Sequence, residues 1–297
     1  MKRSILAAAV AAFAFAFAFA FASGPAFAET PIRILAAQNF YAEVATAIGG
    51  DRVSVETIAM PAGADPHDFE PSPSVARAVS DATIVLFNGA DYDHWMENLL
   101  ESTERPDRTV IEAASLIGAR EGDNPHVWYD PRTLPAVADA VASTLAKLDP
   151  ADAAAFETRK VAFLAMLGPI QQKVASIRQR FAGAPIAATE PVFGYMADAL
   201  GLTTGNADFQ AAIMNETEPS TKDVAALESN LRDHNVKALI YNTQVTDAMT
   251  EQLLTVAKEA DIPVVGVTET RPDGKTYPEW MLDQLDALDK ALAGQSS

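Results

Sequence analysis

The sequence predicts an α/β protein of two lobes, each built on a parallel sheet, joined by one long rigid backbone helix. Two observations carry this. Short β-branched or apolar runs alternate with Ala/Leu-rich stretches at helical spacing, the pattern of parallel sheets with helices on both faces. A strandless stretch of roughly thirty residues then interrupts that alternation and divides the chain into two halves of similar size.

Residues 1–28 read as a targeting segment. Lys2 and Arg3 make a basic start, an apolar run follows from Ile5 to Ala22, and Ala26-Phe27-Ala28 is a small-x-small cleavage site. The apolar run approaches bilayer-spanning length, so a transmembrane anchor is the competing reading. The placed cleavage site and the polar chain that follows favour a cleaved secretory signal peptide. The first lobe, 29–149, holds strand candidates Ile32–Ala37, Val53–Met60 and Thr83–Asn88. Helical patterns cover Phe40–Ile48 and Ser74–Val79, and another helix begins near Arg132.

Residues 150–182 read as the linking helix. Pro150 and Asp152 stand near its start, and Val161, Leu164, Met166, Leu167, Ile170, Val174 and Ile177 supply an apolar stripe. Gly183-Ala184-Pro185 stops it. Pro169 falls inside and predicts a kink; two successive helices jointed at Pro169 are the alternative. The second lobe, 183–297, holds strands Pro185–Thr189, Ala238–Asn242 and Pro263–Val267 and a helix over Ser220–His234.

The formal charge of −18 becomes −20 once Lys2 and Arg3 leave with the signal. Such an acidic surface argues against nucleic acid and anionic membrane as partners. It suits a soluble protein and also a field that attracts cations. The sequence contains no cysteine, which excludes disulfides, thiolate metal sites, cysteine nucleophiles and a lipid-modified cysteine after the signal. Nothing after Glu29 is apolar enough to span a bilayer. The expectation is a monomer free in the periplasm, or secreted, without a lipid anchor.

Chemistry concentrates in two loops. His67 lies in Asp65-Pro66-His67-Asp68-Phe69-Glu70-Pro71-Ser72-Pro73 and His126 in Asn124-Pro125-His126-Val127-Trp128-Tyr129-Asp130-Pro131. Proline restrains the backbone on both sides of itself, as a metal ligand needs, and neutral imidazole suits first-row divalent ions. Open α/β sheets carry ligands beyond the carboxyl ends of their strands. Glu190 and Glu269 end two of the second lobe's strands, and with the two histidines they make a candidate metal set in the cleft between lobes. Two imidazoles and two carboxylates neutralise a divalent cation. Chelation by both acids gives six-coordination suited to Mn or Fe(II); one oxygen from each gives four-coordinate Zn. Taken singly, each acid reads equally as a helix cap or a solvated loop charge. His94 and His234 read as a helix-start and a helix-end residue. Trp128, Phe193 and Trp280 read as packing, and Gln244 stays open as a site contact.

Together these segments resemble the zinc/manganese periplasmic binding proteins of ABC importers. Glu190-Pro191-Val192-Phe193-Gly194-Tyr195-Met196 is similar to the family's third-ligand segment. Glu218-Pro219-Ser220 is similar to its helix-opening element, and Thr268-Glu269-Thr270 lies where the family has its acidic fourth ligand. The resemblance implies a non-enzyme that carries one divalent transition metal, Zn or Mn, in the interlobe cleft and delivers it to an ABC permease. The family's zinc members usually have a third histidine where this chain has Glu190, and usually an Asp where it has Glu269. Residues Arg120–Asn124 are short and lack the histidine-rich loop of many zinc members. These departures lean towards Mn(II) or Fe(II). Other classes remain: a metal-dependent hydrolase, for which no HExxH motif is present, and a receptor for an organic solute or metal chelate. No Gly-x-Ser-x-Gly turn supports a serine nucleophile.

Overall fold

The computed structural model describes residues 30–58, 69–103, 105–215 and 217–294. The signal segment, the end of the second expected strand and His67 lie outside the described residues.

Two sheets of four parallel strands form among the described residues. The first contains β1 (Ile32–Ala36), β2 (Val53–Thr57), β3 (Ile84–Phe87) and β4 (Thr109–Glu112) in the order β2-β1-β3-β4. The second contains β5 (Pro185–Ala188), β6 (Thr203–Thr204), β7 (Leu239–Asn242) and β8 (Val264–Val267) in the order β6-β5-β7-β8. The two orders are the same arrangement repeated, each central pair flanked by two edges. The inner strands are apolar on both faces, as in the fully buried run Ile84–Phe87, because helices cover both sides of a parallel sheet. Both strands that the sequence reading did not name, β4 and β6, are edges. Thr203 and Thr204 are exposed, so no apolar run marks them.

The helices of the first half are α1 (Asn39–Gly49), α2 (Pro73–Asp81), α3 (His94–Ser102), α4 (Ala113–Ile117) and α5 (Thr133–Leu148). After a 3-10 turn at Pro150–Asp152 come α6 (Ala153–Met166) and α7 (Gly168–Phe181). The expected single linking helix is therefore divided at Leu167. Pro169 has no N–H and its ring would collide with the carbonyl four residues earlier, so the regular i→i−4 bonding is interrupted there. In the first turn of α7 the missing donor has no consequence. Leu167 keeps helical angles, and Leu167 and Ile170 close tighter i→i−3 bonds across the joint. The second half adds α8 (Gly194–Leu200), α9 (Ala207–Met214), α10 (Thr221–Arg232), α11 (Ala248–Glu259) and α12 (Tyr277–Leu292). Ser220 caps α10, its hydroxyl accepting from the Asp223 N–H.

The outer face of each sheet has its own small core, Leu35, Val85 and Phe87 with Trp95 and Met96 in the first and Ala187 and Leu239 with Phe209, Leu227 and Leu253 in the second. The inner faces share one continuous core that runs across both lobes, from Ile34, Phe40 and Leu86 to Ile186, Ile240, Val267 and Leu285. An aromatic chain crosses it. Phe40 stands 5.3 Å from Trp128 and 5.7 Å from Trp280, and Tyr129 stands 5.4 Å from Phe193. Trp128, Phe193 and Trp280 are buried, which agrees with their packing role. Separating the lobes widely would bring these rings into water, and a large apolar interface of this kind opposes free domain motion.

Candidate metal centre

Three of the four expected ligands converge where the two lobes meet. His126 comes from the first lobe, just ahead of a 3-10 turn at Val127–Tyr129. Glu190 stands two residues past β5, in extended conformation, with Pro191 opening the next 3-10 turn. Glu269 follows β8. All three are buried. His126 Nε2 lies 3.6 Å from Glu269 Oε2. The fourth, His67, lies outside the described residues. Among the described residues no three His, Asp or Glu side chains close into a set that encloses an ion by themselves.

His126 is oriented by Asn124. The Asn124 Oδ1 accepts the His126 main-chain N–H at 3.1 Å and meets its ring Nδ1 at 2.7 Å. The Asn124 Nδ2 donates to the Pro191 carbonyl at 2.7 Å. A carbonyl only accepts, so the amide orientation is settled, and Oδ1 facing Nδ1 then requires the ring proton on Nδ1. The other ring nitrogen, Nε2, faces Glu269. This is the arrangement by which an outer hydrogen bond prepares an imidazole for a metal. The same asparagine ties the lobes together, because Tyr195 also donates its hydroxyl to the Asn124 carbonyl at 2.8 Å. A polar groove of about 420 Å³, lined by Asn124, Arg132, Gly194, Tyr195 and Asp198 among others, opens beside it.

The loop carrying His126 is held from beneath by the end of β3. Asn88 donates to the Pro125 carbonyl at 2.7 Å and accepts from the Tyr41 hydroxyl at 2.8 Å. Asp93 braces this turn, accepting the Asn88 and Gly89 N–H groups at 2.8 Å each and the Gln38 amide at 2.9 Å. Burial raises the Asp93 carboxyl to about 6 against the lowering effect of those three donors. Gly89 is required in the turn. It has φ +79°, and a Cβ there would stand 2.2 Å from Glu112 Oε1.

On the second lobe the acids are joined by a residue that the sequence reading did not single out. Asn242 ends β7, and its Nδ2 donates to Glu190 Oε2 at 2.5 Å and to Glu269 Oε1 at 2.8 Å. Its position at the end of a strand beside two acid-bearing strands was the only signal available; a neutral amide is not a charged ligand and drew no notice. Gln244 does not face the acids. Its Oε1 accepts the N–H groups of Glu269 and Thr270 at 2.6 and 2.9 Å, so it supports the main chain that carries Glu269. From the other side, Tyr129 Oη lies 2.7 Å from the Thr268 carbonyl. His94 is exposed at the start of α3, and His234 is exposed with φ +54° just beyond α10. Neither belongs to the site.

Comparison with known proteins places this architecture. The sequence model of the ZnuA family, zinc-uptake complex component A, periplasmic, matches residues 34–291. The manganese ABC transporter substrate-binding lipoprotein ScaA of Streptococcus gordonii is 24% identical over 286 residues, covering 88% of this chain and 89% of that protein. Among solved structures, the periplasmic zinc-binding protein TroA of Treponema pallidum superposes with a TM-score of 0.74 at 20% identity, covering 89% of this chain and 99% of the other. Zn(II)-bound AdcA of Streptococcus pneumoniae superposes with a TM-score of 0.70 at 20% identity. That match covers 90% of this chain but 59% of AdcA, so it spans about three fifths of the longer protein.

Proposed function

This chain belongs to the ZnuA family, and from that premise we propose that it is the extracytoplasmic receptor of a metal ABC importer. It captures one divalent transition ion, Zn(II) or Mn(II), and presents it to a membrane permease. The observation that carries this reading is the meeting of His126, Glu190 and Glu269 at the lobe boundary. His126 Nε2 faces Glu269, and both acids accept from one amide. His67 supplies the fourth ligand from the Pro-rich loop after β2. Two imidazoles and two carboxylates balance the charge of a divalent ion and exclude thiolate-seeking cargo. A buried site of this kind holds its cargo without breaking a bond, so no catalysis is assigned. The division into 29–149, 150–182 and 183–297 belongs to the same reading, with residues 1–28 removed on export. So do a monomeric state and a periplasmic location. The sequence offers no cysteine to carry a lipid, whereas the relative from Streptococcus gordonii is described as a lipoprotein.

Chelator-stripped protein titrated with Zn(II), Mn(II), Fe(II), Ca(II) and Mg(II) tests this directly. An ion that binds only the folded state raises the melting temperature. The expected result is a large upshift at one equivalent of transition metal, little response to Ca(II) or Mg(II), and loss of the upshift in His126→Ala. Absence of any transition-metal shift in the unmodified protein refutes the receptor assignment.

A further inference from the structure

We propose that Glu43 is a positioning residue for cargo retention: from the first lobe it holds the loop that carries Glu269, and loosening that hold speeds release of the ion. The proposal rests on the receptor reading above and adds to it the contact that sets how long the cargo stays.

Glu269 lies in the loop 268–276, between β8 and α12. Its own lobe grips the start of that loop, through Gln244 Oε1 on the Glu269 and Thr270 N–H groups. Further along, α1 of the first lobe takes over. Asn39 and Glu43 stand four apart on α1 and so share one face of it. Asn39 Nδ2 donates to the Arg271 carbonyl at 3.0 Å. The Glu43 carboxylate accepts the Tyr277 N–H at 2.9 and 3.2 Å, and its Oε2 stands 3.4 Å from Arg271 Nε. Both side chains of this ion pair are largely buried, and Arg271 Nε has no hydrogen bond elsewhere among the described residues. Arg271 Nη1 turns back to the Lys275 carbonyl, so the guanidinium links Glu43 to the far side of the same loop. The start of α12 explains why a carboxylate fits here. First-turn N–H groups have no partner inside a helix. Thr276 Oγ1 accepts the Glu279 N–H at 3.4 Å, Pro278 has no N–H, and the Trp280 N–H reaches the Thr276 carbonyl at 3.0 Å. That leaves the Tyr277 N–H, which Glu43 takes, and a negative charge at a helix N-terminus also suits the helix dipole.

This position bears on release. An ion held between His126 and Glu269 leaves when those side chains part, and their facing atoms stand 3.6 Å apart. The apolar core shared by the lobes opposes wide separation. The loop offers a smaller movement. It carries Glu269, its residues Asp273–Thr276 are exposed, and a few polar groups of Asn39, Glu43 and Tyr129 tie it to the first lobe. Among these ties, the contacts of Glu43 are the charged ones. A hydrogen bond to a carboxylate is stronger than a neutral one, and removing Glu43 leaves the Arg271 guanidinium largely buried without its counter-charge. Linkage then runs both ways: a tighter loop retains the ion, and a bound ion tightens the loop by the same factor.

The test uses the full mature protein loaded with Zn(II) or, in a parallel series, Mn(II), and mixed with excess chromophoric chelator. This reads the dissociation rate of bound ion and not the amount of competent protein. Glu43→Ala should release the ion about tenfold faster or more, the scale of one charged hydrogen bond, with association no slower than in the parent. Glu43→Gln keeps an acceptor for Tyr277 but loses the charge facing Arg271, and should fall between the two. Lys173→Ala breaks the ion pairs of α7 with Asp286 and Asp289 on α12 and should release at the parental rate. A purely structural role for Glu43 lowers stability and leaves the dissociation rate alone. Parental release from folded Glu43→Ala therefore overturns the proposal, and so does equal acceleration in Lys173→Ala. Should neither Glu43 variant fold, amide hydrogen exchange in the unmodified protein decides. Protection of the Tyr277 N–H should rise on metal loading, and unchanged protection overturns the proposal. Failure of the unmodified protein to bind either ion overturns the receptor reading itself and is distinguishable from retention that ignores Glu43.

Discussion

Replacing Asn124 with Ala separates the preparation of the histidine from the histidine itself. The substitution removes the acceptor of the His126 N–H and ring Nδ1 and the donor to the Pro191 carbonyl. Each such bond contributes about 1 kcal/mol net, and more where a buried partner is left unmatched, so stability falls by about 2–4 kcal/mol. The effect on metal binding has two parts. Freeing the ring proton to sit on either nitrogen halves the competent population at most, about 0.4 kcal/mol. Freeing the ring to rotate and loosening the tie to Pro191 accounts for the rest. Loss of such an outer partner typically weakens metal binding 10- to 100-fold, or about 1.4–2.7 kcal/mol. Competition against a chromophoric chelator measures it. Asn124→Asp is the control, since it keeps acceptors for His126 while losing the donor to Pro191. Its affinity should stay within several-fold of the parent, though its stability falls. A change of no more than twofold in Asn124→Ala contradicts the role given to this asparagine. An Asp variant as weak as the Ala variant contradicts the account of the ring proton.

Two further perturbations probe the supports of the same site. Gly194→Ala places a Cβ 2.8 Å from Asn124 Nδ2. The gain of up to about 1 kcal/mol from replacing a helical glycine is then opposed by displacement of Asn124. Metal affinity should fall in the same competition assay, and a variant with parental affinity and a higher melting temperature shows that Asn124 yields harmlessly. Asp93 has a folded pKa of about 6 against an ordinary 3.8, so the folded state binds its proton more tightly than the unfolded chain does. Its contribution to stability is most favourable below about pH 4, declines by about 3 kcal/mol as pH rises through 6, and levels off about one unit higher. Urea unfolding of Asp93→Asn across pH 4–7 should lack that decline, although the variant is less stable overall; equal slopes in the two proteins refute the assignment.

The candidate ligand residues were visible in the sequence because they are chemically marked. His126 is one of four histidines and stands in a Pro-bounded loop, and Glu190 and Glu269 follow runs that read as strands. Their neighbours were not visible, for reasons that differ by residue. Asn124 was quoted as part of a motif, but its work is done against Pro191, 67 positions away. Asn242 is neutral and common at strand ends, and its role exists only because β7 lies between β5 and β8, an order that differs from chain order. Asp93 resembles an ordinary loop acid until burial removes its water.

The sequence by itself determined the α/β class, the alternation of strands and helices, the break between halves and three of the side chains that converge. These follow from local periodicity, proline stereochemistry and the scarcity of histidine, all readable over a few residues. Tertiary structure alone decided the single core shared by both lobes. It also decided the tautomer of His126 and the clasp of Asn242 on two acids. The physical reason is distance along the chain: each of these depends on strand order and on partners brought together by packing, and a hydrogen bond between residues dozens of positions apart leaves no periodic trace in either segment.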